Sequence, residues 1–211
     1  MFTFNLLIFL YSEIFHYEGR YGLITVGEGT IEFRKNDDIN EVICILKTKG
    51  IFSKIYPVND YYRSVSRGDF TSILYERNIS EGRYKAYVKI EYYDDSIIYS
   101  DGRKYIVKTR YYDLFSAIFM MRNIVFNVND SISFPVHTGG SPSFIKIKIY
   151  DGGKIETGKG EIETFLLVPS IKDERIFGKD GELKIYVSKE EKIPVLIKSK
   201  LFFGEISFII K

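Results

Sequence analysis

The chain has 211 residues and a formal net charge of +2 at pH 7, with 30 basic residues against 28 acidic ones. The length suits a single domain, and the near balance of charge argues against the dense basic surface of a nucleic-acid-binding protein. Phe and Tyr are frequent, at 17 residues each, and Trp is absent from the sequence. Together with abundant Ile and Val, these aromatic residues favour pleated, half-buried strands over helices.

The residue types that bind metals or form disulfides are scarce. The single cysteine, Cys44, excludes an internal disulfide and a cysteine-based metal cluster, and its apolar neighbours Val42 and Ile45 predict an unreactive core position. The two histidines, His16 and His137, are far apart in the sequence and belong to no spaced cluster of ligands. We therefore predict no metal site and no cofactor.

The amino terminus is an apolar run, Met1–Leu10, much shorter than the roughly 20 residues that span a bilayer. Two interpretations stay open. The run could be a secretory signal that ends near Ser12, so that residues 1–12 are lost and one domain covers residues 13–211. It could instead be a first buried strand, because a signal normally carries Lys or Arg before its apolar run. The signal interpretation predicts a periplasmic or otherwise exported protein that is not an integral membrane protein.

From Glu13 onward the sequence alternates between short strands and turns rich in Gly, Asp and Asn. Residues 51–65 contain Pro57 and predict a mixture of short strand and turn. The strands predicted in the first half are Ile14–Gly22, Leu23–Arg34, Glu41–Lys49, Phe70–Asn78, Arg83–Tyr93 and Tyr105–Thr109.

The second half shows the clearest strand pattern. In Phe144–Tyr150 isoleucines alternate with lysines, which is typical of a strand with one face on the core and one in water. Asp151-Gly152-Gly153 is predicted to turn the chain after it. Residues 124–129 could be loop or short strand, and residues 171–180 predict a polar connector. The other strands predicted here are Ser131–His137, Lys154–Gly158, Gly160–Pro169, Glu182–Ser188, Pro194–Leu201 and Gly204–Ile210.

One stretch breaks the alternation. Asp113 is a good N-cap residue, and an apolar stripe follows it at helical spacing, which predicts a short helix over residues 113–122 pressed against the sheet. The stripe consists of Leu114, Ala117, Ile118 and Met121. About ten to thirteen strands with a single helix predict an all-β, mainly antiparallel fold, either a strongly curved sheet or a partly open β-barrel.

Several motifs, in order, resemble a family of uncharacterised bacterial exported proteins, domain of unknown function 3108. The longest is Tyr112–Arg122, which is similar to the family's D-x-x-S-A-x-x-x-x-R signature. Tyr186 stands where the family usually has Trp, and Lys189-Glu190 stands where acidic residues usually follow the Ser. The other matching stretches are Phe15–Glu18, Gly27–Thr30, Glu81–Tyr84, Tyr93-Asp94, Leu183–Ser188, Ile193–Val195 and Phe203–Ile206.

The resemblance covers nearly the whole chain from Glu13 and implies a secreted or periplasmic β-rich protein without an established activity. A more distant likeness is to half-barrel carriers of lipids and lipoproteins in the cell envelope, whose curved sheets are plugged by short helices. This likeness concerns the fold, and a fold does not fix a function.

Four residues around the predicted helix are candidates for ligand binding: Asp113, Arg122, Tyr111 and Tyr112. The polar pair could define the mouth of a pocket beneath the helix. The sequence favours a simpler interpretation, in which Asp113 caps the helix and Arg122 interacts with the dipole at its carboxyl end. The tyrosine rings could line a groove with amphipathic surface or simply pack between strands.

No catalytic residue is predicted, and we do not expect an enzyme. Ser143–Lys146 spells S-x-x-K, but the companion motifs of that chemistry are missing from the sequence. Glu156, Glu161 and Glu163 lie near lysines on neighbouring predicted strands, and surface ladders of opposite charge explain them. A hydrolase would require clustered carboxylates or a Ser/His pair in one cleft.

The leading hypothesis is an exported cell-envelope protein that holds a lipid-like or other hydrophobic ligand on the concave face of its sheet. One helix hides little apolar sheet surface, so the sheet must close, bind a ligand or associate with a partner. The alternative is a structural or protein-interaction module of the envelope without a small-molecule ligand.

Overall fold

The structure, a computed structural model, describes residues 11–158, 160–170, 182–201 and 204–211. Met1–Leu10 and the polar connector predicted over residues 171–180 lie outside the described residues. Tyr11 and Ser12, which the signal interpretation removes, begin the first strand and pair with Lys35 and Arg34. Within the described ranges, no helix has the length and apolar character to cross a membrane.

Fourteen strands form one sheet in which every neighbouring pair is antiparallel. The first and last strands, β1 and β14, pair in the middle of the sheet, and β8 and β9 form its two edges. The strands are β1 (Tyr11–Tyr21), β2 (Ile24–Lys35), β3 (Ile39–Thr48), β4 (Asn59–Arg67), β5 (Ser72–Glu81), β6 (Tyr84–Tyr92), β7 (Ser96–Tyr99), β8 (Lys104–Ile106), β9 (Ser131–Val136), β10 (Ser143–Thr157), β11 (Gly160–Pro169), β12 (Glu182–Ser188), β13 (Pro194–Leu201) and β14 (Gly204–Ile210). The prediction of an antiparallel all-β fold is confirmed.

The predicted helix is confirmed as α2 (Leu114–Met120), and a single 3-10 turn, Met121–Asn123, continues it. The structure also contains a one-turn helix, α1 (Phe52–Ile55), in the segment predicted as mixed strand and turn. A helix this short has no room for the apolar periodicity that identifies longer helices in a sequence. Residues 124–129 contain no strand.

The predicted turn at Asp151-Gly152-Gly153 is wrong, because β10 runs through it without ending. The register against β11 shifts between Asp151 and Gly153, which marks a β-bulge. Gly153 has a φ of +65°, and a Cβ added to Gly152 would lie 2.4 Å from the Thr164 hydroxyl oxygen. The two glycines therefore bend a long strand, where the sequence suggested a hairpin.

Helix α2 lies inside the curled sheet and packs on both sides. Phe115 and Phe119 belong to one buried cluster, in which the rings of Phe119 and Phe33 stack with centroids 4.4 Å apart. Ala117 and Met121 belong to a second buried cluster, built mainly from β9, β10, β11 and β12. The helix thus separates two apolar halves of the interior. Cys44 is buried in the first cluster, as its sequence context predicts, and burial raises its thiol pKa to about 12.

The segment before α2 links strands from the two halves of the sheet. The backbone of Tyr112 donates to Pro135 O on β9 at 3.1 Å and accepts from His137 N at 2.8 Å. The neighbouring Tyr111 carbonyl accepts from Ser72 N, at the start of β5, at 2.9 Å. The edge strands β8 and β9 do not pair with each other, so residues 111 and 112 connect β9 to β5 instead.

Candidate functional site

A cleft of about 660 Å³ opens between α2 and the inner face of the sheet. The apolar stripe predicted on the helix forms one wall, and residues of β9, β10, β11 and β12 form the other. The cleft is lined by Leu114, Ala117, Ile118, Met121, Phe134, Val136, Thr138, Gly140, Ser141, Ser143, Phe144, Ile145, Ile147, Pro169, Ser170, Leu183 and Ile185.

The chemistry of this lining is uniform. None of the lining residues that the structure describes carries a charge. The base is buried aliphatic surface from Ile147 and Ile185, whereas hydroxyl groups come from Thr138, Ser141 and Ser143 around the loop between β9 and β10. Such a surface favours an apolar molecule with at most a neutral polar group.

The amino end of α2 is held by a buried carboxylate. Asp113 Oδ1 accepts hydrogen bonds from Phe115 N at 2.9 Å and Ser116 N at 3.1 Å, which confirms the predicted N-cap. Its Oδ2 accepts from the hydroxyl groups of Ser64 on β4, at 2.8 Å, and Ser72 on β5, at 2.7 Å. Burial raises the pKa of the Asp113 carboxyl, and these four donors oppose that shift. The helix start is therefore fixed to two strands.

The carboxyl end of the helical segment is held by charge. The guanidinium of Arg122 binds both carboxylate oxygens of Glu13 on β1, at 2.5 and 3.2 Å, and its Nε donates to Glu191 O at 3.2 Å. Lys192 donates to the backbone oxygens of Arg122, at 3.2 Å, and Ile124, at 2.6 Å. Burial opposes ionisation of Glu13, but the hydrogen bonds from Arg122 and Tyr11 lower its pKa below the ordinary value.

The four predicted ligand-binding residues thus surround the helix without lining the cleft. Asp113 and Arg122 lie at opposite ends of the helical segment, and each binds protein groups. Tyr111 and Tyr112 lie in the segment that joins β9 to β5. The sequence did show part of both walls of the cleft, as the apolar stripe of the helix and the alternating Ile145 and Ile147, but it could not show that they face each other.

The buried His137 closes the region next to the cleft. Its Nδ1 lies 3.0 Å from the Tyr92 hydroxyl, and its Nε2 lies 2.9 Å from both the Tyr99 hydroxyl and Gly140 O. A neutral ring with its proton on Nε2 satisfies these contacts, because Gly140 O can only accept. Burial, assisted by the charge of Arg103, lowers the pKa of His137 to about 4. This histidine therefore ties β6 and β7 to the end of β9.

The remaining polar residues considered for catalysis are dispersed. Among the described residues, the ring of neither histidine hydrogen-bonds to a serine or a carboxylate; the ring of His16 lies 3.4 Å from the Thr30 hydroxyl. Ser143 begins β10. The exposed carboxylates follow the predicted charge ladder, with Lys154 pairing with Glu161 at 2.9 Å and Lys189 lying 3.8 Å from Glu163.

Comparison with known structures supports the architecture. The crystal structure of a β-barrel-like protein of domain of unknown function DUF1849 from Brucella abortus superposes with a TM-score of 0.61 at 7% sequence identity, covering 97% of this chain and 98% of that chain. The crystal structure of a DUF1089 family protein from Pseudomonas aeruginosa gives a TM-score of 0.45 at 10% identity, over 79% of this chain and 87% of that one. At such low identity the first likeness concerns the fold alone.

Comparison of sequences identifies the family. No curated protein matches the chain. The profile of the family described as "Protein of unknown function (DUF3108)" matches residues 16–211, nearly the whole chain, in agreement with the resemblance of its motifs. The chain belongs to the DUF3108 family of proteins of unknown function.

Proposed function

We propose that this protein is an exported, non-enzymatic binding protein that holds one uncharged, lipid-like molecule in the cleft beside α2. The cleft itself is the main support for this proposal. Its volume is about 660 Å³, and none of its described lining residues is charged. Ordinary ligand pockets measure roughly 300–1,000 Å³ and are mainly apolar.

The position of the helix supports the proposal. Polar contacts hold α2 at both ends, through Asp113 and Arg122, while Leu114 and Ile118 present apolar surface to the cleft. If apolar packing alone held the helix, the helix would be expected to move onto the sheet and fill this space, because side chains next to a void lose dispersion contacts. Anchors at the two ends allow the middle to remain open for a ligand.

The chemistry of the lining restricts the ligand class. A carboxylate or phosphate inside the cleft would lose its hydration without gaining a charged partner, which is costly. A neutral hydroxyl or ester group could instead bond to Thr138, Ser141 or Ser143 at the loop end of the cleft. The ligand we propose is therefore an acyl or isoprenoid chain with a neutral polar end.

Export is the part of the proposal that rests on the sequence. The apolar run Met1–Leu10 and the resemblance to exported proteins support it. Cell fractionation with mass measurement of the mature chain tests it directly. Recovery only from the cytoplasm would contradict export without affecting the cleft.

The binding proposal is tested on protein purified from its own compartment, by native mass spectrometry and solvent extraction. We expect an adduct of lipid mass that extraction removes, and an apolar compound in the extract. Protein without a bound lipid that co-purifies with a protein partner would contradict the carrier function. It would favour the alternative, a protein-interaction module without a small-molecule ligand.

A further inference from the structure

A second cavity, of about 770 Å³, lies in the other half of the interior and shares no lining residue with the α2 cleft. Its walls come from β1–β5, β14, helix α1 and the segment that leads from α1 into β4. Five aromatic residues line it: Tyr21, Phe52, Tyr56, Tyr62 and Phe208. This cavity therefore offers an apolar, aromatic surface separate from the proposed lipid site.

Glycines leave the cavity open on the side of the sheet. Gly19 and Gly27 are partners in the β1–β2 register and both line the cavity. A Cβ at Gly27 would lie 2.4 Å from Lys47 O, so the backbone of β3 excludes any larger residue there. No side chain from this pair can fill the space between the aromatic residues.

Two carboxyl groups, those of Asp60 and Glu81, lie in the wall of this cavity. Asp60 is 2% exposed, and its Oδ1 accepts a hydrogen bond from Ser80 N at 2.8 Å. Glu81 is the last residue of β5, next to Ser80, and it lines the same cavity as Asp60. Burial first, and then the adjacent charge of Asp60, raise the pKa of Glu81. A neighbouring carboxylate favours the protonated form of Glu81.

The two carboxyl groups have no ion-pair partner in the part of the chain that the structure describes. Within the described ranges, no Lys, Arg or His forms an ion pair with Asp60 or Glu81. The negative charge of this pair is therefore not balanced by an ion pair with a basic side chain of the described residues. The other titratable residues that line the cavity are Tyr21, Tyr56, Tyr62, Glu28 and Lys47; Lys47 is exposed and Glu28 pairs with Lys49.

We propose that this second cavity binds an apolar primary amine, with its ammonium group on Asp60 and Glu81 and its hydrocarbon body against the aromatic residues. Charge complementarity selects this ligand class. An ammonium supplies donors to two carboxylates, whereas an anion is repelled and a neutral molecule leaves the negative charge without a partner. The faces of Tyr56 and Tyr62 add cation–π attraction if the ammonium approaches them.

Binding of the ammonium group is coupled to the protonation of Glu81. The ammonium favours the ionised form of Glu81, so a proton that Glu81 carries is released to solvent on binding, and no bond of the ligand breaks. Affinity for the ammonium therefore increases as pH rises through the titration of Glu81 and stays high until the amine itself loses its proton. The site is independent of the proposed lipid function, since either cavity can bind or fail to bind alone.

The test compares three probes of equal chain length, octylamine, 1-octanol and octanoate, by isothermal titration calorimetry on the full chain. We expect octylamine to bind at least roughly tenfold more tightly than octanol, and octanoate not to bind in this cavity. Octylamine should also bind more tightly at about pH 8 than at about pH 5. Equal affinity for all three probes, or preference for octanoate, would overturn the proposal.

Single substitutions test whether the carboxyl groups of this cavity are the binding site for the amine. Glu81→Gln should weaken octylamine binding by roughly tenfold and leave octanol binding unchanged, because only the charge-assisted contact is lost. Glu91→Gln is the matched control, since Glu91 pairs with Lys89 and lies outside the lining of the cavity. If Glu81→Gln binds octylamine as tightly as the wild type, the carboxyl pair is not the site. Should that variant not fold, the discrimination between probes by the wild-type chain decides.

Discussion

The hydroxyl of Ser64 on β4 donates a 2.8 Å hydrogen bond to Oδ2 of Asp113, 49 residues further along the chain. Both residues are almost fully buried, with exposures of 1% and 0%. The same oxygen accepts from Ser72 on β5, so the start of α2 is attached to two adjacent strands. Directional hydrogen bonds, as well as apolar packing, therefore place the helix inside the sheet, with its stripe facing an open cleft.

Replacing Asp113 with Ala should destabilise the protein by about 2–4 kcal/mol, because the helix loses its cap and two buried hydroxyl groups lose their acceptor. Urea unfolding measures the change. Asp37→Ala is the control, since Asp37 is exposed and should change stability by less than about 0.5 kcal/mol. Equal effects of the two substitutions would contradict the anchoring role of Asp113.

The ion pair between Arg122 and Glu13 should contribute about 1–2 kcal/mol, since the side chains are only 22% and 18% exposed and make two hydrogen bonds. A double-mutant cycle of Arg122→Gln and Glu13→Gln measures this coupling. Because the pair lowers the pKa of Glu13 in the fold, its stabilisation is present above the ordinary carboxyl pKa. It should disappear as pH falls through the folded value. A coupling free energy near zero at pH 7 would show that the two residues act independently.

His137 should make stability depend on pH. The fold keeps the ring neutral down to about pH 4, whereas the unfolded chain takes up a proton below about pH 6.5. The wild type should therefore lose up to about 3 kcal/mol between these values relative to His137→Gln. His16→Gln is the control, because His16 is exposed and its ring lies a long 3.4 Å from the Thr30 hydroxyl. If the wild type and His137→Gln lose stability in parallel on acidification, a neutral buried His137 is excluded.

The bulge in β10 should not tolerate a side chain at Gly152. A Cβ there would lie 2.4 Å from Thr164 Oγ1 and 2.9 Å from the Phe165 carbonyl carbon, so Gly152→Ala should cost about 2–4 kcal/mol. Gly140→Ala, which meets no atom within 4 Å, should be nearly neutral. Thermal unfolding compares the two variants. A neutral Gly152→Ala would mean that β10 bends elsewhere.

The sequence predicted the features that depend on local pattern. Period-two alternation identifies the strands, and Asp113 followed by an apolar stripe identifies α2. It mistook Asp151-Gly152-Gly153 for a turn, because a bulge and a hairpin use the same glycines and the difference lies in the partner strand. It also could not place Ser64 beside Asp113 or Glu81 beside Asp60, since such pairs arise only when distant strands come together.

Binding of an uncharged apolar ligand in the cleft beside α2 can be tested with a single substitution. Leu114 lines the cleft but is 41% exposed, and it is the first residue of α2, where an acidic side chain suits the helix dipole. Leu114→Glu should therefore fold normally while it places a charge in the cleft. Leu23→Glu is the matched control, because Leu23 is 99% exposed and lies outside the lining of the cleft.

The measurement is fluorescence titration with the neutral apolar probe N-phenyl-1-naphthylamine, under the same conditions for all three proteins. We expect saturable binding to the wild type and to Leu23→Glu, and at least roughly tenfold weaker binding to Leu114→Glu, because the charge must be desolvated when the probe enters. Equal binding to all three proteins, or no binding to the wild type, would contradict the proposed function.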